Sequence, residues 1–128
     1  MGKEKSDPYR PSLTSKGPEM ANNRAKAVPT VQIENDRVIV TEWRFAPGAE
    51  TGWHRHGHDY VVVPQTTGTL LLEERGGNRE ARLTVGVSYF RNVGVEHNVV
   101  NANDFEFVFV EVEIKEAVTV RTRKKDEG

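Results

Sequence analysis

Trp53-His54-Arg55-His56-Gly57-His58-Asp59-Tyr60 is the stretch on which the reading of this chain turns, and Gly94-Val95-Glu96-His97-Asn98 answers it downstream. Three of the chain's four histidines, His54, His56 and His97, fall at metal-ligand spacings in these two blocks. Residues two apart on a strand point to the same face, so His54 and His56 can present both imidazoles to one ion. His97 would close the site from a second strand.

The surroundings turn a histidine count into a pattern. Gly48 is followed after five residues by His54, after one by His56, after three by Tyr60 and after seven by Gly68. Gly86 is followed after five residues by Asn92, after one by Gly94, after two by His97 and after three by Asn101. The two blocks resemble the paired sequence motifs of the cupin superfamily, over residues from about Val31 to Ile114. In that family the first motif supplies two histidines and a glutamate, and the second supplies a last histidine. Tyr60 occupies the glutamate position here and Asn92 the position of a second-motif proline. A phenol with a pKa of about 10 is a poor ligand, so the resemblance implies a three-histidine site without a carboxylate. That set looks like the minority of cupins that are iron dioxygenases cleaving thiol or diketone substrates. The run from Trp43 to His56, continued by Asp59-Tyr60-Val61-Val62-Val63-Pro64, is similar to small single-domain bacterial cupins linked to β-alanine degradation.

Length and composition set the frame. The 128 residues suffice for one core and not two. A formal charge of -1 at pH 7 removes a broad electrostatic case for nucleic acid or anionic membrane as partner. No apolar run approaches a membrane span, and the lysine-rich N-terminus has no apolar signal region, so cytoplasmic residence is the expectation. The absence of cysteine excludes disulfides, thiolate ligands and a cysteine nucleophile.

Residues 1 to 28 are polar and nearly free of apolar side chains, and we read them as a flexible N-terminal arm; Met20 within it is a possible alternative start. Residues 119 to 128 read as a charged tail, leaving 29 to 118 as the folded domain. Between the ends, β-branched and aromatic runs alternate with turn residues. Val31 to Ile33, Arg37 to Phe45, Tyr60 to Val63, Thr69 to Glu74, Ala81 to Val85, Ser88 to Arg91, His97 to Val100 and Phe105 to Ile114 are expected strands. Gly76-Gly77-Asn78 and Asn101-Ala102-Asn103-Asp104 are expected hairpin turns. Gly48, Gly52, Gly68, Gly86 and Gly94 mark tight corners. The expected fold is all-β, a single-domain jelly-roll barrel with room for an ion and a small ligand.

Each histidine of the triad must bind as a neutral imidazole, its other nitrogen held by an acceptor behind it. Three imidazoles suit zinc, iron, nickel or copper; the resemblance, not the spacing, favours iron(II). Such a site keeps its full positive charge and favours an anionic, chelating small-molecule substrate such as a thiol carboxylate or β-dicarbonyl. His58 shares the strand parity of the ligands and is either a fourth ligand or, as we favour, a group at the entrance. Tyr60 is expected to point inward, as a phenol that bonds substrate or as a core tyrosine. Arg44, Arg55 and Arg91 lie near the motifs, and any that faces inward could hold a carboxylate. Glu96 should face away from His97, and Asn92 and Asn101 should shape turns. Trp43, Trp53, Phe105, Phe107 and Phe109 are expected in the core or a subunit interface. Two further readings stand beside the dioxygenase: a non-redox metal-dependent isomerase, cyclase or lyase, and a metal-bearing binding protein without turnover. The long apolar run from Phe105 to Ile114 and an open sheet edge make a homodimer the expected assembly.

Overall fold

The computed structural model describes residues 23–116. The charged tail and most of the expected N-terminal arm, with Met20, lie outside these residues. The arm's last part is not free, as the expected boundary had it. Arg24 reaches Glu50 and Glu73 at 3.2 and 3.1 Å, Lys26 bridges to Glu50, and Ala27 is buried. Two buried-side carboxylates offer this segment the attachment that its own composition lacks.

Nine strands form: β1 (Val28–Glu34), β2 (Val38–Phe45), β3 (His54–Arg55), β4 (Asp59–Pro64), β5 (Gly68–Glu73), β6 (Arg79–Leu83), β7 (Tyr89–Arg91), β8 (Glu96–Asn101) and β9 (Phe107–Ile114). There is no helix among the described residues. All strand pairs are antiparallel, in a five-stranded sheet ordered β1-β2-β9-β4-β7 and a four-stranded sheet ordered β3-β8-β5-β6. Their inner faces enclose the core, as a jelly roll requires.

Alternation along the strands decides what reaches the interior. In β9, Phe107, Phe109 and Glu111 are buried and Val108 is buried at the strand's start, while Val110 and Val112 are only partly so. In β4, Tyr60, Val62 and Pro64 take the inner face. Register then aligns Tyr89, Val62, Glu111 and Thr41 in one inward row and Arg91, Tyr60, Glu113 and Ile39 in the next. Phe45 and Phe109 pack at 5.5 Å between ring centroids and, with Phe107, Leu70 and Ala49, fill one end. Phe109 and Leu70 also line a cavity of about 390 Å³ towards the other. The outer face of the same sheet is unusual. Phe90, Val61, Val112, Val40 and Ile33 lie in register across all five strands, and Phe90 and Ile33 are about half exposed.

The turn at Gly76-Gly77 joins β5 to β6 as a hairpin, with Gly77 N–H donating to Glu74 O and φ at 129°. The segment from Asn101 to Asp104 does not make the expected hairpin, because β8 pairs with β3 and β5 while β9 pairs with β2 and β4. It is a corner between sheets. Asn101 holds it: its Nδ2 donates to the carbonyls of Phe45, Ala46 and Phe105, and its Oδ1 accepts from Asn103. Asparagine turn chemistry is local, but which sheet the next strand joins is settled by distant partners. Gly68 likewise is no positive-φ corner; a Cβ there would meet the Asn103 side chain at 2.8 Å.

Candidate metal centre

β3 and β8 pair antiparallel with His54 directly opposite His97. β3 ends at Arg55, and a turn through Gly57 carries the chain into β4; His56 stays on the β3 path, its N–H donating to Val95 O and its carbonyl accepting from Gly94 N. Gly94, at φ 96°, shapes the connection from β7 into β8 that lies against this segment. The expectation that His54 and His56 share one face therefore holds although the regular strand is only two residues long.

The three Nε2 atoms converge. His54 Nε2 lies 3.0 Å from His56 Nε2, which lies 3.2 Å from His97 Nε2, and the three donor atoms fall within 4.8 Å of one another. Nitrogens about 2.1 Å from a common ion, at the angles of octahedral or tetrahedral coordination, would stand about 3.0 to 3.4 Å apart. His54 Nδ1–H donates to Gly52 O at 2.8 Å, which leaves its Nε2 with the lone pair. His56 Nδ1 faces Glu111 Oε2 at 3.5 Å, turning its Nε2 lone pair to the same point. Lone pairs so gathered repel unless a cation lies among them, and protons are a poor cation here. Burial, reinforced by His54, His97 and Arg91, pushes the His56 pKa down to about 3; burial, with His54, Arg91 and Arg79, takes His97 down to about 4. The donor set fits a divalent transition metal.

Behind the triad stands a carboxyl that sequence reading missed. Glu111 on β9 is 7% exposed, accepts from Trp43 Nε1 at 3.1 Å and faces His56. Burial raises its pKa to about 7, with Glu113 adding to the rise and the Trp43 hydrogen bond opposing it. Glu111 is thus not one of the converging donors; it backs a ligand. Its signal was present, a glutamate at the parity of Phe107 and Phe109, but only the sheet shows that this parity faces inward.

His54 is braced by a second network. Asn98 Oδ1 accepts from Gly52 N at 2.8 Å, and Asn98 Nδ2 donates to Glu50 and Glu73, which hold Arg24. Burial pushes Glu50 up, but its bonds from Asn98 and Arg24 outweigh this and leave it below the ordinary carboxylate range; the Arg24 bond holds Glu73 low as well. The chain of contacts fixes Gly52 O, the acceptor that sets the His54 tautomer.

Tyr60 faces inward as expected. Its ring stacks on His56 with centroids 3.8 Å apart, and its buried hydroxyl has no hydrogen-bond partner among the described residues. Burial raises its pKa above the ordinary phenol value, so it stays protonated. His58 is half-buried in the turn before β4; it neither joins the converging donors nor lines the cavity. Gly57 interrupts the alternation that would have aligned it with His54 and His56. Asp59 accepts from Val93 N. Of the three arginines, Arg55 and Arg91 line the cavity, whereas Arg44 pairs with Glu42 and Glu106 outside it. Glu96 turns outward to Arg75, as expected. Trp43 packs against the core as expected and also lines the cavity, while Trp53 is exposed beneath the Arg75 guanidinium.

No family-wide sequence profile matches the chain. It is 69% identical over 94 residues to the Beta-alanine degradation protein BauB of Pseudomonas aeruginosa, covering 73% of this chain and 99% of that protein. Among solved structures, a cupin domain from Bordetella pertussis is 67% identical, with a TM-score of 0.73 over 73% of this chain and 98% of that one. A cupin superfamily protein from Desulfitobacterium hafniense, 13% identical, shares the fold at a TM-score of 0.57 over 90% of this chain and 100% of its own.

Proposed function

Because the chain belongs to the cupin family, we propose that it is a mononuclear metal enzyme of small-acid catabolism, an iron(II) dioxygenase acting on a short anionic substrate that chelates. The observation that carries this reading is the convergence of three buried or half-buried Nε2 atoms at 3.0 and 3.2 Å, with no cationic side chain bonded to them among the described residues. Bound iron(II) would supply exchangeable positions at which a bidentate anion and O2 meet, both oxygen atoms ending in the organic product. The protein's own part is positional. His54, His56 and His97 would hold the metal, Gly52 O and Glu111 fix ring orientation, and the apolar wall of Val62, Leu70, Leu72, Val99 and Phe109 limits water. Protonated Tyr60, beside His56, is a hydrogen-bond donor for a charged oxygen of substrate. The similarity to a protein named for β-alanine degradation supports a substrate of about three carbons with a carboxylate and a β-substituent.

Elemental analysis of protein purified without added metal or chelator, beside a His54→Ala, His97→Ala variant, tests the site. Stoichiometric iron lost in the variant, and oxygen uptake with thiol carboxylates or β-dicarbonyls, are expected. Iron in place without uptake overturns the dioxygenase. Zinc or nickel with product formed anaerobically would indicate an isomerase, cyclase or lyase instead, and ligand binding without product a non-catalytic protein.

The outer row of Phe90, Val61, Val112, Val40 and Ile33 leads us to propose a homodimer. A continuous apolar strip across a whole sheet exceeds the scattered apolar residues normal to a monomer's surface, and a face of this kind suits an isologous contact with a second copy. Light scattering of the full chain at micromolar concentration should give twice the chain mass, falling towards one in a Phe90→Glu, Ile33→Glu variant. A monomer in the parent protein refutes it.

A further inference from the structure

We propose that Arg91 is the residue that makes a carboxylate obligatory in the ligand, gripping it on the β7 side of the cavity so that the ligand's other end reaches the three histidines. This rests on the ligand site proposed above and names what selects its occupant. Arg91 sits at the end of β7, directly opposite Tyr60 on β4, in the inward row that continues to Glu113 and Ile39. Cross-strand partners have Cβ atoms about 5 Å apart, and the Tyr60 ring in turn lies 3.8 Å from that of His56. One short molecule therefore spans from the guanidinium to the converging nitrogens. The charge of Arg91 is felt there: it opposes the rise that burial gives the pKa of Tyr60 and Tyr89.

Of the two arginines that line the cavity, Arg55 is exposed on β3, and Arg91 is the one held in the cavity wall. Arg91 is half-buried and makes no hydrogen bond or ion pair with another described residue, although Arg24, Arg44, Arg75 and Arg79 each hold a carboxylate. A guanidinium held in a cavity wall without an anion is a fork awaiting one. The buried Tyr60 hydroxyl, also unpartnered, is a second donor beside it. Glu113 lies on the β9 side of Tyr60, with Glu111 in the adjacent inward row, so this face is polarised, positive at β7 and acidic at β9. A carboxylate is drawn to one side and repelled from the other, which orients a small acid rather than merely attracting it. At about 390 Å³ the cavity is near the low end for small-molecule sites, about 300 to 1,000 Å³, and suits a short acid.

The test uses 3-hydroxypropanoate and its methyl ester as probes, measured by calorimetry on the full chain, metal-free and zinc-loaded so that no redox turnover intervenes. The acid should bind at least about tenfold more tightly than the ester, and Arg91→Gln should remove at least about tenfold of the acid's affinity while leaving that of the ester unchanged. Arg91→Lys, with the charge but not the fork, should fall between. Metal content should be that of the parent in both variants. Equal affinity for acid and ester in the parent chain, no binding of the acid, or an Arg91→Gln variant that binds the acid as the parent does would each overturn the proposal. The comparison of acid with ester needs no variant to fold. Failure of the parent chain to take up zinc would instead count against the metal centre, with the acid preference of the metal-free protein still deciding for or against Arg91.

Discussion

Glu111→Gln should make the protein more stable and its metal site weaker. The carboxyl is 7% exposed, and burial lifts its pKa from 4.5 to about 7. A folded-state pKa above the unfolded value means the folded chain binds the proton more tightly, so the contribution of Glu111 is fully present below pH 4.5 and is lost as pH rises through 7. Over that interval the loss amounts to about 3 kcal/mol at most, at about 1.4 kcal/mol per pH unit. Glutamine has the same shape, keeps an oxygen for Trp43 Nε1 and cannot ionise. In metal-free protein, urea unfolding at pH 8 should place the variant above the parent by up to about 3 kcal/mol, with the two converging near pH 4. Metal binding moves the other way. Losing the carboxylate behind His56 Nδ1, 3.5 Å away, removes the partner that favours that tautomer and should cost about 10- to 100-fold in zinc affinity, read by competition with a chromophoric chelator. A variant less stable than the parent at pH 8, or one with unchanged zinc affinity, would refute the reasoning.

Asn98→Ala should weaken zinc binding about tenfold without removing a ligand, because Gly52 N loses its acceptor and the carbonyl that orients His54 is freed; unchanged affinity in the same competition assay would show that the Arg24, Glu50 and Glu73 network only staples the chain. Asn101→Ala should cost about 3 to 5 kcal/mol in urea unfolding, since three carbonyls and two Asn103 donors lose their partner at a buried corner. Lowering pH from about 6.5 to 4 should destabilise the metal-free protein through His56 and His97, whose depressed values make the unfolded chain the better proton acceptor, and the Glu111→Gln variant should lose more over that range because it lacks the opposing titration.

Most strands were legible because their β-branched runs alternate with turn residues, and their ends shift by only a few residues in the structure, as with Val38–Phe45 against an expected Arg37 to Phe45. The metal triad was legible because its histidines are punctuated by glycines that turn where the chain must turn, Gly48 and Gly94 among them at positive φ. His58 and the corner at Asn101 were not. In both, local pattern points one way and the path of the chain another: a break at Gly57, and strands β8 and β9 taken up by different sheets.

Composition, strand periodicity and histidine spacing thus determined by themselves an all-β barrel and its three converging histidines, since these depend on near neighbours in the chain. The rest waited on register. That Glu111 rather than Glu113 stands behind His56, that Arg91 faces the cavity while Arg44 does not, and that Phe90, Val61, Val112, Val40 and Ile33 form one outer strip are consequences of which strands lie side by side. A strand's own sequence offers two faces, and only its distant partners decide which of them is the inside.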